Sequence, residues 1–215
     1  MLRRRPRSRP RSAGISTAEV LASSALTLLV LAAISSFYQT QMKAFAAQSA
    51  YAESQTITRS VMELMTRELR MASYTTTAVP ATVGNVVDGI VTATPTSIRF
   101  QQDLNADADV ADPGEDLTYA LVGDQLLRTD GAGAPIPLVT GIPEGGFALR
   151  YFTLGDPVVE IIPVGALTAG QRRTVAKVRI TVTGQVPNPD PHNTAPLLSQ
   201  VESEVAIRSR SLNNF

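Results

Sequence analysis

The segment DLNADADVADPGED, residues 103–116, concentrates side-chain oxygens that can hold a cation. Asp103, Asn105, Asp107 and Asp109 recur at every second position, the spacing of positions one, three, five and seven of an EF-hand loop, where oxygens wrap a hard cation such as calcium. The match is incomplete. Ala108 stands where that loop needs a glycine, and Gly114 stands where it needs a bidentate glutamate; Asp112 and Glu115 lie close by but off-register. An EF-hand proper is therefore excluded. Two readings remain: a solvated acidic turn, which the pattern favours, and a looser loop ordered by calcium through Asp103, Asn105, Asp107, Asp109, Asp112 and Glu115. No other cofactor is expected.

The second residue that demands an explanation is Glu19, an acid near the start of the apolar run ISTAEVLASSALTLLVLAAISSFY, residues 15–38. A lone carboxylate in a bilayer core costs a few kcal/mol. It is tolerated where a positive partner neutralises it. A cut after Gly14 would supply one, because Ile15 would then carry a free amine one helical turn from Glu19. The same cut removes Arg3, Arg4, Arg5, Arg7, Arg9 and Arg11. The basic block ahead of an apolar run is a targeting pattern that keeps the N-terminus cytoplasmic. The 24 residues of the run would rise roughly 36 Å as a helix, enough to span a bilayer core of about 30 Å. The rival reading is a secretory signal with a shorter apolar core, cut near Ala32-Ala33. Ser16, Thr17, Ala18, Ala22, Ser23, Ser24, Ala25, Thr27, Ala32, Ala33, Ser35 and Ser36 make the run suited to close helix packing as well as to lipid.

Composition narrows the function classes. The 215 residues carry 19 basic and 19 acidic side chains; without the six leader arginines, 13 − 19 leaves residues 15–215 at −6, which argues against nucleic acid as a partner. Cysteine is absent, excluding disulfides and thiolate metal sites. His192, in the proline-rich stretch VPNPDPHNTAP, has no second metal ligand near it in sequence. No nucleophile elbow, Walker loop, dinucleotide fingerprint or zinc spacing occurs, so an enzyme is not expected.

The elements that must position these residues are legible in outline. No Gly or Pro interrupts the chain from Ile15 to Val79, and Ile57, Val61, Leu64, Met65 and Leu69 recur at helical spacing. The pattern predicts one helix from about Ile15 to Tyr74, stopped by the threonines at 75–77 and Pro80. Beyond Pro80 the period falls to two in SIRFQ, DLTYALV, GFALRYF, TVAKVRITVTGQV and QVESEVAIRSR, which read as half-buried antiparallel strands. A tight turn at 122–125 links two strands, and DGAGAPIP reads as a loop. The expected fold is α+β. A long N-terminal helix, apolar in its first half, covers a mainly antiparallel β head. The expected divisions are a leader at 1–14, an apolar helix at 15–38, its amphipathic continuation at 39–79 and the head at 80–215.

Gly14 followed by Ile-Ser-Thr-Ala-Glu and an apolar helix resembles the class III signal of type IV prepilins and type II secretion pseudopilins. The usual pattern after the glycine is Phe-Thr-Leu-x-Glu, so the first three positions depart from it, while the glycine, the glutamate and the basic leader are present. MTRELRMASY, residues 65–74, and the closing EVAIRSRSLNNF are similar to PilW-type minor pilins and the J-type pseudopilin. The resemblance implies a pilin-like fold and cleavage between Gly14 and Ile15 by a prepilin peptidase, which also N-methylates Ile15. It implies that Glu19 acts in assembly, and that the partners are other pilins or pseudopilins, the peptidase and the inner membrane. It implies a single-pass inner-membrane protein with an extracytoplasmic head, which then joins a pilus or pseudopilus. The alternative is a membrane-anchored or secreted ligand-binding domain. An anchor has no use for Glu19, and a secreted domain would be cut near Ala33.

Overall fold

A computed structural model describes residues 14–73, 89–105, 107, 109–155, 157–188 and 195–207. The arginine leader, Tyr74, the threonines at 75–77, Pro80, His192 and Arg208 lie outside the described residues. The chain forms two compact units, Met1–Ala46 and Ala47–Phe215.

Helix α1 runs over Thr17–Arg70, close to the expected bounds. Its start is set by Ser16, whose Oγ accepts from the Glu19 amide at 3.2 Å, one of the donors a helix N-terminus leaves unsatisfied. Its end tightens into i→i+3 bonds from Met71 N to Glu68 O and from Ala72 N to Leu69 O. Ser73 takes a left-handed φ of 64° and passes its amide to Gln101 O, which joins the helix end to a strand. Arg67 and Arg70 in the last turn suit the negative end of the helix dipole.

The larger unit holds two antiparallel sheets. The first is five-stranded: β1 (Ile90–Ala93), β2 (Ser97–Gln101), β3 (Asp116–Val122), β4 (Gln125–Asp130) and β5 (Ile136–Val139), each paired with its sequence neighbour. The second, in the order β7-β6-β8-β9, comprises β6 (Phe147–Thr153), β7 (Glu160–Ile161), β8 (Val175–Val186) and β9 (Leu197–Ala206). A short helix α2, Ala169–Thr174, precedes β8 and starts in a capping box between Thr168 and Gln171. The expected strands are present over the described residues; positions 208–210 of the last one lie outside them. The stretch read as a loop, DGAGAPIP, is partly strand: Ile136 and Pro137 belong to β5. Pro137 is accommodated because β5 is an edge strand.

Alternation decides which face is buried. Ile98 and Phe100 of β2, Leu117 and Tyr119 of β3, Leu149 and Tyr151 of β6, and Val178, Ile180 and Val182 of β8 form one core. Phe100 and Tyr119 stack at 6.3 Å between ring centroids. The two sheets meet where Leu149 N donates to Pro95 O at 2.8 Å and Tyr151 OH to Thr94 O at 2.7 Å. On the solvent face of the second sheet, Arg150 and Arg179 lie directly opposite. Glu160 on one side and Glu204 on the other neutralise them.

The last five turns of α1 pack in this unit through Ser54, Thr58, Val61, Met62, Met65 and Leu69. That face differs from the expected one: Ile57 is exposed and Leu64 only half-buried, while the small hydroxyls Ser54 and Thr58 are inside. Gly184 of β8 explains them. A Cβ there would stand 3.0 Å from both Ser54 Oγ and Thr58 Oγ1, so glycine and small polar residues together allow the close approach. Nearer the helix end, Glu68 sits over the cross-strand pair Tyr119–Arg128. It accepts from Tyr119 OH, from Arg128 Nε at 3.2 Å and from Arg128 Nη2 at 3.0 Å. Burial works against the Arg128 charge, but the bonds to Glu68 outweigh it and hold its pKa above the ordinary value. Burial first, and then Glu68, push the Tyr119 hydroxyl pKa up.

Two expectations follow. Glu68→Ala leaves the mostly buried Tyr119 phenol without its acceptor and leaves Arg128 only Asp130, 3.7 Å from its Nη1. It should cost about 3 kcal/mol, measured by chemical denaturation of the full chain in detergent; a loss below about 0.5 kcal/mol would mean that water replaces the carboxylate. Asp116, bound by Arg99 Nε at 2.8 Å, is held below its ordinary carboxylate pKa by that hydrogen bond, which outweighs burial. The unfolded chain therefore takes up the proton first. The contribution is complete above pH ~5 and is lost as pH falls through the depressed folded value. Asp116→Asn should flatten the acid limb of stability against pH relative to the unsubstituted chain.

Candidate functional site

Two places carry the residues singled out by sequence. The first is the start of α1. Gly14 and Ile15 are exposed and lead into the helix, and Glu19 occupies its first turn, also exposed. Ser16-Thr17-Ala18-Glu19 is also the Ser-x-x-Glu signature of a capping box, which the sequence reading passed over. The Ser16 half is made. Glu19 thus has a local role open to it beyond charge pairing, since an acid in the first turn also suits the helix dipole.

Beyond Glu19, Val20, Leu21, Leu26, Leu28, Leu29, Val30, Leu31, Ile34 and Phe37 are each 53–70% exposed. The helix is long and apolar enough to cross a membrane. Three of its hydroxyls are satisfied within the helix: Ser23 Oγ donates to Glu19 O, Ser24 Oγ to Leu21 O and Thr27 Oγ1 to Ser23 O, at 2.7–2.9 Å. Such internal bonds let Ser and Thr sit in a nonpolar solvent without an unpaired donor.

The second place is the loop joining β2 to β3. Three bonds in series fold it. The Asp107 amide donates to Asn105 Oδ1, the Asp109 amide to Asp107 Oδ1 and the Ala111 amide to Asp109 Oδ1, at 2.9–3.0 Å. Each is the local side-chain turn that Asx residues favour. Asn105 Nδ2 then bridges two acids, donating to Asp107 Oδ2 at 2.9 Å and Asp112 Oδ2 at 2.6 Å. The Asp109 amide, and after it Asn105, hold the Asp107 pKa below the ordinary carboxylate value. Gly114, with φ of 89°, gives its amide to Asp130 Oδ1 at 2.8 Å and turns the chain inward. Glu115 follows, only 1% exposed, and its Oε1 accepts from the Leu104 amide at 2.8 Å.

The outcome differs from the EF-hand register. Carboxylate oxygens of Asp107, Asp109, Asp112 and Glu115 lie within 4.8 Å of one another. Asp103, expected at position one, is fully buried and is not in that group, and Asn105 serves it through its amide nitrogen. The two acids that looked off-register are brought in. Gly114 takes a left-handed φ directly before Glu115, whose carboxylate joins the group. A glycine directly before a glutamate was the available signal.

Comparison with protein families, curated proteins and solved structures finds no match to this chain.

Proposed function

We propose that this chain is a structural subunit of a type IV pilin-like filament, a minor pilin or pseudopilin, rather than a catalyst. The observation that carries the reading is the first stretch of α1. It is an exposed apolar helix surface, interrupted by one acid in its first turn and preceded by a glycine after a basic leader. The fold supports it, since a long N-terminal helix with an amphipathic second part on antiparallel sheets is the architecture the resemblance implies.

On this reading the arginines hold the N-terminus in the cytoplasm and the apolar stretch spans the inner membrane once. A prepilin peptidase cuts between Gly14 and Ile15 and methylates the Ile15 amine. The uncovered apolar surface then exchanges lipid for the helices of other pilins or pseudopilins. Small residues along it permit close approach. Glu19 neutralises an Ile15 amine, its own or a neighbour's, and so contributes register where apolar contact contributes adhesion.

Processing is tested by intact mass spectrometry of protein from its native host. The mature chain should begin at Ile15 and carry one added methyl group. A start after Ala33, or a retained leader, would contradict the reading. Glu19 is tested by two substitutions that separate its roles. Glu19→Gln keeps a side chain that can complete a capping box but loses the charge, whereas Glu19→Ala loses both. Both proteins should insert and be cut, and both should be depleted from sheared filaments relative to the unsubstituted chain. Recovery of Glu19→Gln at the unsubstituted level, with Glu19→Ala lost, would reduce Glu19 to a helix cap.

A further inference from the structure

We propose that the loop between β2 and β3 is a calcium site built from Asp107, Asp109, Asp112 and Glu115. Clustered surface acids alone would not carry this, because exposed carboxylates are common on solvated turns. What distinguishes the loop is Glu115. Its side chain is buried, its Oε1 is taken by the Leu104 amide, and its Oε2 is buried with no hydrogen-bond partner among the described residues. A buried carboxylate oxygen without a donor loses its hydration and gains nothing from the protein. The same carboxylate belongs to the group of four whose oxygens lie within 4.8 Å of each other. One cation among them would supply the missing partner of Glu115 and offset the mutual repulsion of the other three.

The geometry selects the ion class. Calcium–oxygen bonds are about 2.3–2.6 Å, so ligands on opposite sides of one ion stand up to about 5 Å apart, which accommodates the observed spread. Calcium takes six to eight oxygens, and four carboxylates with waters on the exposed side reach that number. Magnesium usually keeps its waters and takes one or two carboxylates, a poorer fit to an all-acid cradle. Without thiols or imidazoles in the group, the softer transition metals have no reason to prefer it. Asn105 Nδ2, which bridges Asp107 and Asp112, occupies with a partial positive charge the role the ion would take in full.

The site would also have a structural effect. Glu115 is followed directly by Asp116, the first residue of β3, and Gly114 is anchored to Asp130 at the end of β4. A bound ion would fasten residues 107–112 to these two central strands of the first sheet. Where a subunit of the proposed kind exposes its head outside the cytoplasm, millimolar calcium suffices, which suits the weak affinities of extracellular modules.

The test is isothermal titration of the full chain, in detergent micelles and chelator-treated buffer, with calcium chloride. One equivalent should bind, with Kd between about 10⁻⁵ and 10⁻³ M. The melting temperature should rise with free calcium as mass action requires. Asp107→Asn with Asp112→Asn, which keeps an acceptor oxygen at both exposed positions and relieves their repulsion, should weaken binding at least about tenfold without lowering the calcium-free melting temperature. Glu115→Gln, which keeps an acceptor for the Leu104 amide, should abolish binding. No heat and no thermal shift up to about 10 mM calcium would overturn the proposal. So would undiminished affinity in the Asp107/Asp112 variant, and equal affinity for magnesium would overturn the choice of ion.

Discussion

The apolar surface of α1 from Val20 to Phe37 is the constraint on which the rest of the molecule depends. Nine large apolar side chains there are more than half exposed. At roughly 25 cal/mol per Å², a surface of this kind strongly favours any nonpolar cover. Within the same helix, residues from Ser54 to Leu69 face the same demand and meet it inside the chain, by turning one face to a β core and leaving Arg59, Glu63 and Arg67 in water. The two stretches differ in pattern. The first is apolar around most of its circumference, and the second is apolar along one stripe. A one-sided stripe suits one packed surface; an apolar cylinder suits lipid or a ring of other helices.

The second stretch is held at two points by different means. Near Ser54 and Thr58 the contact is steric, and the missing Cβ of Gly184 sets how near the helix backbone comes to β8. Near the helix end it is polar, with Glu68 over the Tyr119–Arg128 pair of the first sheet. Buried ion pairs give little net stability compared with apolar packing, but they penalise displacement, because any shift leaves charges unpaired. The apolar contacts of Val61, Met62, Met65 and Leu69 therefore supply most of the adhesion, and Glu68 supplies the position. The end of the helix, through Ser73 and Gln101, in turn places β2 and the acidic loop that follows it.

Much of this architecture was legible in sequence because it rests on local periodicity. The unbroken helix followed from the absence of Gly and Pro, and β2, β3, β6, β8 and β9 from alternation of the kind seen at Val178, Ile180 and Val182 against Lys177, Arg179 and Thr181. What escaped depends on contacts between distant residues. The division into two sheets is set by which strands find each other. β7 has only two residues, and β5 contains a proline that only its edge position permits. Nothing in the RELR stretch marks Glu68, because its partners lie 51 and 60 positions away. In the acidic loop the residue types were legible and the register was not. The acids that converge include Asp112 and Glu115 and not Asp103, a grouping that the spacing along the chain does not give.

The central claim is that the first stretch of α1 is covered by the apolar helices of other subunits in the assembled state. The most direct measurement places a photo-crosslinking amino acid at Leu28, on the exposed apolar surface, in cells of the native host. The account predicts adducts whose peptide maps join position 28 to the apolar N-terminal helix of another pilin-like subunit, and predicts that they disappear when assembly is blocked. Adducts to lipid alone in cells that make filaments would contradict it and would leave the helix as a simple membrane anchor.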